Sequence, residues 1–118
     1  MKVLIADDED RVCRLIYRLI KWDELDMEVA AIAHNGLEVL SMIEEHRPDI
    51  VITDIRMPGL DGLEMIRRAK ELDGTLEFII ISGYRHFEYA QNAIRYGAGD
   101  YPLRLPAAIT HLRLRRLP

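Results

Sequence analysis

Residues 1–10 read MKVLIADDED and residues 51–59 read VITDIRMPG. In both, an apolar run stops at carboxylates: Asp7, Asp8, Glu9 and Asp10 in the first, Asp54 alone in the second. If Asp7, Asp8 and Asp54 meet in one pocket, each close pair repels by about 4 kcal/mol at an effective dielectric near 20. Without a cation, one of them has to take up a proton. A hard divalent ion removes that penalty, and Mg²⁺ suits a site with few carboxylates and several waters. The single Cys and four scattered His offer no zinc-type ligand set. A carboxylate beside such an ion can also attack a phosphoryl group and carry it as an acyl phosphate. That transfer needs little beyond positioning and charge neutralisation. Ser82, followed by Gly83, would add a hydroxyl, and Arg104 a cation for the phosphoryl oxygens.

Helix capping is the plainer use of an acid, and carboxylates near a helix N-terminus contribute up to about 1 kcal/mol through the dipole. It accounts for Glu9 and Asp10. It does not account for Asp54, because the next capping signature begins only at Asp61.

Positioning these acids requires strands. Val3–Ala6 is a short continuous apolar run, and Val12, Leu15, Ile16, Leu19 and Ile20 follow at helical spacing. Residues 28–34 read as a second strand. Asn35 with Glu38 forms a capping signature for a helix through Leu37, Leu40 and Ile43, which Pro48 should stop near His46. Residues 49–53 and 78–82 read as the third and fourth strands. Between them Asp61 and Glu64 open a helix carrying Leu63 and Ile66. Phe87, Ala90, Ile94 and Gly97 line one face of a further helix. DYPLRL (100–105) reads as a fifth strand, and 106–116 as a last helix.

Continuously apolar strands alternating with helices indicate a parallel sheet covered on both faces. The expected fold class is therefore α/β, a doubly wound five-stranded parallel sheet. Ligands of such sheets sit outside the carboxyl ends of the strands. Asp7, Asp8, Asp54 and Ser82 all fall there.

The 118 residues, with a net charge of −4, fit a single domain over 1–118 and carry no overall nucleic-acid footprint. The charge is unevenly spread. All 20 acidic residues lie at or before Asp100, while residues 101–118 hold four arginines and no acid. Cys13 is alone, so no internal disulfide forms, and a cytoplasmic setting fits. Its apolar neighbours make it a packing residue. The N-terminal apolar run is too short for a signal peptide or a membrane span.

VLIADDE, RPDIVITDIRMPGLDGLEMI, IIISGY and AIRYGAGDY stand in an order and spacing that resembles the receiver domain of bacterial two-component response regulators. The resemblance covers residues 2–101 and leaves the tail 102–118 atypical. YRLIKWDELDMEV and SGYRHFEYAQNAI are similar to receivers that precede AraC-type helix-turn-helix output domains. The resemblance implies the flavodoxin-like strand order 2-1-3-4-5. It implies Asp54 as phosphoacceptor, and Asp7, Asp8, Asp54 and the backbone carbonyl of Arg56 as Mg²⁺ ligands. Ser82 becomes the switch hydroxyl and Tyr101 the switch aromatic. The chain would be a switch rather than an enzyme, taking its phosphoryl group from a sensor histidine kinase. A homodimer through the 86–116 face is a further implied partner, and DNA enters only through an output domain that this sequence does not contain.

The corner after Tyr101 departs from the family. There the pattern is two apolar residues, Lys, then Pro; here YPLRLP puts Arg104 at the lysine position and Leu105 at the proline. Arg keeps the charge but is a planar fork rather than a point charge. The family's bond before that proline is cis. The same bond before Leu105 would cost about 2.5–4 kcal/mol, so a trans bond and a rearranged loop are expected. Pro102 removes a backbone donor, tolerable on an edge strand. The missing Lys-Pro motivates an alternative reading, a degenerate receiver that binds a partner without phosphorylation. An Mg²⁺-dependent phosphatase or nucleotidyl-transfer enzyme would want a second acid two residues past Asp54, where Arg56 stands. A flavodoxin would want a phosphate-cradling loop where DDED stands.

Overall fold

The computed structural model describes residues 1–54 and 59–80. Strand β1 (Lys2–Ala6) leads into helix α1 (Asp10–Leu19), a 3₁₀ turn (Asp23–Leu25) and strand β2 (Glu28–Ala33). Helix α2 (Gly36–His46), strand β3 (Ile50–Thr53), helix α3 (Gly62–Leu72) and strand β4 (Glu77–Ile80) follow. The four described strands are all parallel, in the order β2-β1-β3-β4. This matches the corresponding part of the expected 2-1-3-4-5 sheet. The expected fifth strand and the two helices expected over 86–116 lie outside the described residues.

Alternate strand residues face opposite layers, as the two-residue pleat requires. Val3, Ile5, Ile50, Ile52 and Ile79 pack with Cys13, Ile16, Ile20 and Trp22 on the α1 side. Leu4, Ala6, Val51, Phe78 and Ile80 pack with Val39, Ile43, Met65, Ile66 and Ala69 on the α2–α3 side. Both faces are thus covered, which is why residues 3–6, 50–52 and 78–80 read as unbroken apolar runs. Strand β2, at the sheet edge, is only half-buried along most of its length. Its pairing shifts between Val29 and Ala31, so Ala30 forms a bulge opposite the Val3–Leu4 step.

The helical spacing pairs Leu15, Leu19 and Leu37 with Ile16, Ile20 and Ile43. The isoleucines are buried as expected, and the leucines are not. Cys13, Ile16 and Ile20 are buried, while Leu15 and Leu19 are 53% and 42% exposed. In α2, Val39 and Ile43 are buried and Leu37 is 60% exposed.

Helix ends follow local chemistry. Asn35 caps α2 by accepting from the Glu38 N–H at 2.8 Å, and Glu38 in return accepts from the His34 N–H at 3.3 Å. Asp61 caps α3, accepting from the Leu63 and Glu64 N–H groups at 2.9 and 3.2 Å. Glu64 does not reach back to the cap. It accepts from Arg67 and Arg68, which hold its carboxyl down at about 2. Helix α2 stops at His46 as Pro48 demands, with Arg47 in the left-handed region at φ 50°.

Gly36 opens α2 directly beneath the β3–α3 loop. A Cβ at this position would lie 2.9 Å from Leu60 Cβ and 3.2 Å from the Leu60 carbonyl. Elsewhere in a helix Gly→Ala is favourable by about 1 kcal/mol. Here G36A is expected to destabilise by about 1–3 kcal/mol through overpacking. A urea midpoint above that of the wild type would show that Leu60 yields freely.

Candidate functional site

The register builds the site. Ala6 pairs with Thr53 across β1 and β3, so the next residues of the two strands, Asp7 and Asp54, emerge side by side at the carboxyl edge. Both backbones extend the ladder by one step: the Asp7 N–H donates to Ala33 O at 3.1 Å, and the Asp54 N–H to Ala6 O at 3.2 Å. Asp8 follows on the turn into α1. Carboxylate oxygens of Asp7, Asp8 and Asp54 lie within 4.8 Å of one another. No other acid, His or Cys among the described residues joins such a group of three or more.

The three acids differ in environment. Asp7 is buried, Asp54 half-buried and Asp8 exposed. Burial pushes the Asp7 carboxyl up from 3.8 to about 7. The Glu9 N–H, which donates to Asp7 Oδ1 at 2.9 Å, pulls the other way. The Asp54 charge and the neighbouring Asp8 raise it further. Burial first, and the neighbouring carboxylates after it, thus favour the protonated form of Asp7 when no cation is bound. The donor set is all hard oxygen and anionic, so it fits a small divalent cation such as Mg²⁺. Asp7, Asp8 and Asp54 are the residues that would hold it.

Glu9 and Asp10 stand apart. Glu9 is the N-cap of α1 but makes no side-chain capping bond; it pairs with Arg11. Asp10 opens the helix and pairs with Arg14 at 2.8 Å and His34 at 3.4 Å. Cys13 is buried behind the site, its thiol donating to Asp7 O at 3.7 Å. Burial, then the charges of Asp7 and Asp10, push that thiol up to about 11. It stays protonated and packs, as its surroundings in the sequence suggested.

Sequence reasoning overlooked Thr53. It is fully buried, and its hydroxyl donates to the Asp54 carbonyl at 2.9 Å. A threonine ending an otherwise aliphatic strand immediately before the key acid was the available signal. Arg56, Ser82, Tyr101 and Arg104 lie outside the described residues.

Residues 3–109 match the response regulator receiver domain family. The chain belongs to that family. It is 40% identical over 103 residues to YesN of Bacillus subtilis, an uncharacterized transcriptional regulatory protein, covering 87% of this chain and 28% of that one. It is 37% identical over 103 residues to the transcriptional regulatory protein HptR of Staphylococcus aureus, covering 87% of this chain and 40% of that protein. The chain thus spans less than half the length of these curated relatives. Among solved structures it is similar to the receiver domain of AraT, a response regulator from Geobacillus stearothermophilus. The identity there is 39% and the TM-score 0.89, over 97% of this chain and 93% of that one. Receiver domains are signalling switches that accept a phosphoryl group, and the α/β sheet with its acidic edge is their architecture. No helix among the described residues is long and apolar enough to cross a membrane.

Proposed function

We propose that Asp54 is the phosphoacceptor and that Asp7, Asp8 and Asp54, with the backbone carbonyl of Arg56, hold Mg²⁺. The convergence of three carboxylates at the carboxyl edge of the sheet carries this reading. In the reaction an Asp54 oxygen attacks the phosphorus of a phosphohistidine on a sensor histidine kinase. The P–N bond breaks, an acyl phosphate forms, and the leaving imidazole takes up a proton. The bound cation would supply charge neutralisation for the phosphoryl oxygens. The β-sheet supplies position: both Asp7 and Asp54 are fixed by backbone bonds to neighbouring strands.

In this reading Ser82 turns toward the phosphoryl group, Tyr101 follows it, and Arg104 replaces the family lysine as the cation at the phosphoryl group. The 1–118 unit is one receiver that switches rather than catalyses, works in the cytoplasm and pairs with a second copy through the 86–116 face. Its relatives' names point to transcription as the output, reached through a DNA-binding domain elsewhere in the protein. The test is incubation with a small phosphodonor and Mg²⁺, followed by intact-mass spectrometry. A single acid-labile phosphoryl adduct is expected, and a chain that never labels would refute the proposal.

A further inference from the structure

Thr53 ends β3 on the α2–α3 side of the sheet, in register with Ala6 on β1 and Ile80 on β4. Its residue is wholly inaccessible to solvent among aliphatic neighbours, yet it carries a hydroxyl. A buried hydroxyl needs a partner, and this one donates to the carbonyl of Asp54 at 2.9 Å. On the other side of the same residue, the Asp54 N–H is held by Ala6 O at 3.2 Å. Peptide units are planar, so fixing a carbonyl fixes the whole unit that follows. Both peptide planes flanking the Asp54 Cα are therefore anchored, one by β1 and one by the Thr53 side chain. The direction of the Asp54 Cα–Cβ bond follows from the two together.

We propose that Thr53 is a positioning residue for phosphoryl transfer, its buried hydroxyl fixing the Asp54 carbonyl and with it the direction in which the acid leaves β3. The inference rests on Asp54 being the phosphoacceptor. In-line transfer is sensitive to placement, and a misplacement of about 1 Å costs on the order of a hundredfold in rate. A valine at this position has nearly the same volume but no hydroxyl. A serine keeps the hydroxyl and loses the methyl.

The two substitutions separate positioning from packing. If the hydroxyl positions Asp54, T53V labels about tenfold or more slowly than the wild type. It also binds Mg²⁺ more weakly by calorimetry, with its urea midpoint little changed. T53S then labels close to the wild-type rate although the lost methyl lowers its midpoint. Thus T53S is the less stable variant and T53V the less reactive one. Wild-type labelling and Mg²⁺ affinity in T53V would overturn the proposal, as would equal slowing in T53S. Should T53V not fold, T53A carries the same expectation. Misfolding of both, with T53S folded, would make the hydroxyl purely structural and overturn it. D54N is run alongside. Labelling of D54N at the wild-type rate refutes the phosphoacceptor itself, whatever Thr53 does. If the wild type never labels, that reading fails, and the Mg²⁺ affinities alone decide whether Thr53 shapes the site.

Discussion

Asp54→Asn is expected to abolish acid-labile phosphoryl labelling while leaving the fold intact. The amide is nearly isosteric with the carboxylate but lacks a nucleophilic oxyanion, so no acyl phosphate forms. A loss of about a thousandfold, roughly 4 kcal/mol in barrier, is the minimum expected. The backbone bond from the Asp54 N–H to Ala6 O is untouched by the change. The variant also relieves a repulsion, since the Asp54 charge is one of the causes that raise Asp7. The cation-free variant should therefore unfold at a higher urea concentration than the cation-free wild type. Labelling at the wild-type rate would exclude Asp54. Loss of labelling together with a lower midpoint would trace the defect to unfolding rather than to chemistry.

Much of this site is legible in the sequence because parallel strands carry their ends side by side. Residues 3–6, 50–52 and 78–80 are apolar at every position, and β1, β3 and β4 form there. Once the runs are aligned, an acid just past each of two adjacent strands must meet the other. Caps are equally readable, because Asn35 and Asp61 act on amides two or three residues away. Features that depend on distant atoms are not. The leucine at 37 fits the helical spacing as well as Val39 does, and only the distance to the sheet decides which is buried. The need for glycine at position 36 arises from Leu60, which the fold rather than the local sequence brings near. The difference between Asp7 and Asp8 is of the same kind. Asp7 extends the β1 ladder and is buried, while Asp8 lies on the turn into α1 and is exposed. The Glu64 exchange of a cap for Arg67 and Arg68 reflects competition among partners that spacing alone leaves open.

Asp7 gives the protein a pH-dependent stability of unusual sign for a carboxylate. Its carboxyl rises from 3.8 to about 7 in the fold, with burial as the first cause. A raised value means that the native state binds the proton more tightly than the unfolded chain. The resulting stability is fully present below the unfolded value of 3.8 and is lost progressively as pH rises through about 7. Between about pH 5 and about pH 8 the loss corresponds to roughly 2–3 kcal/mol. Cation-free wild type is therefore expected to show a higher urea midpoint at the lower pH. Asp7→Asn cannot titrate and should lack this component, so the difference between the two profiles isolates it. Mg²⁺ should flatten the trend. Ligand carboxylates bind a cation in their deprotonated form, so affinity falls by up to about tenfold for each pH unit below the Asp7 value. Saturating Mg²⁺ should accordingly raise the midpoint much more near pH 8 than near pH 5, through binding to the native state alone. A wild-type profile that parallels Asp7→Asn across this range, with and without Mg²⁺, would show that the Asp7 carboxylate is charged throughout and that its burial is compensated by groups other than the Glu9 amide.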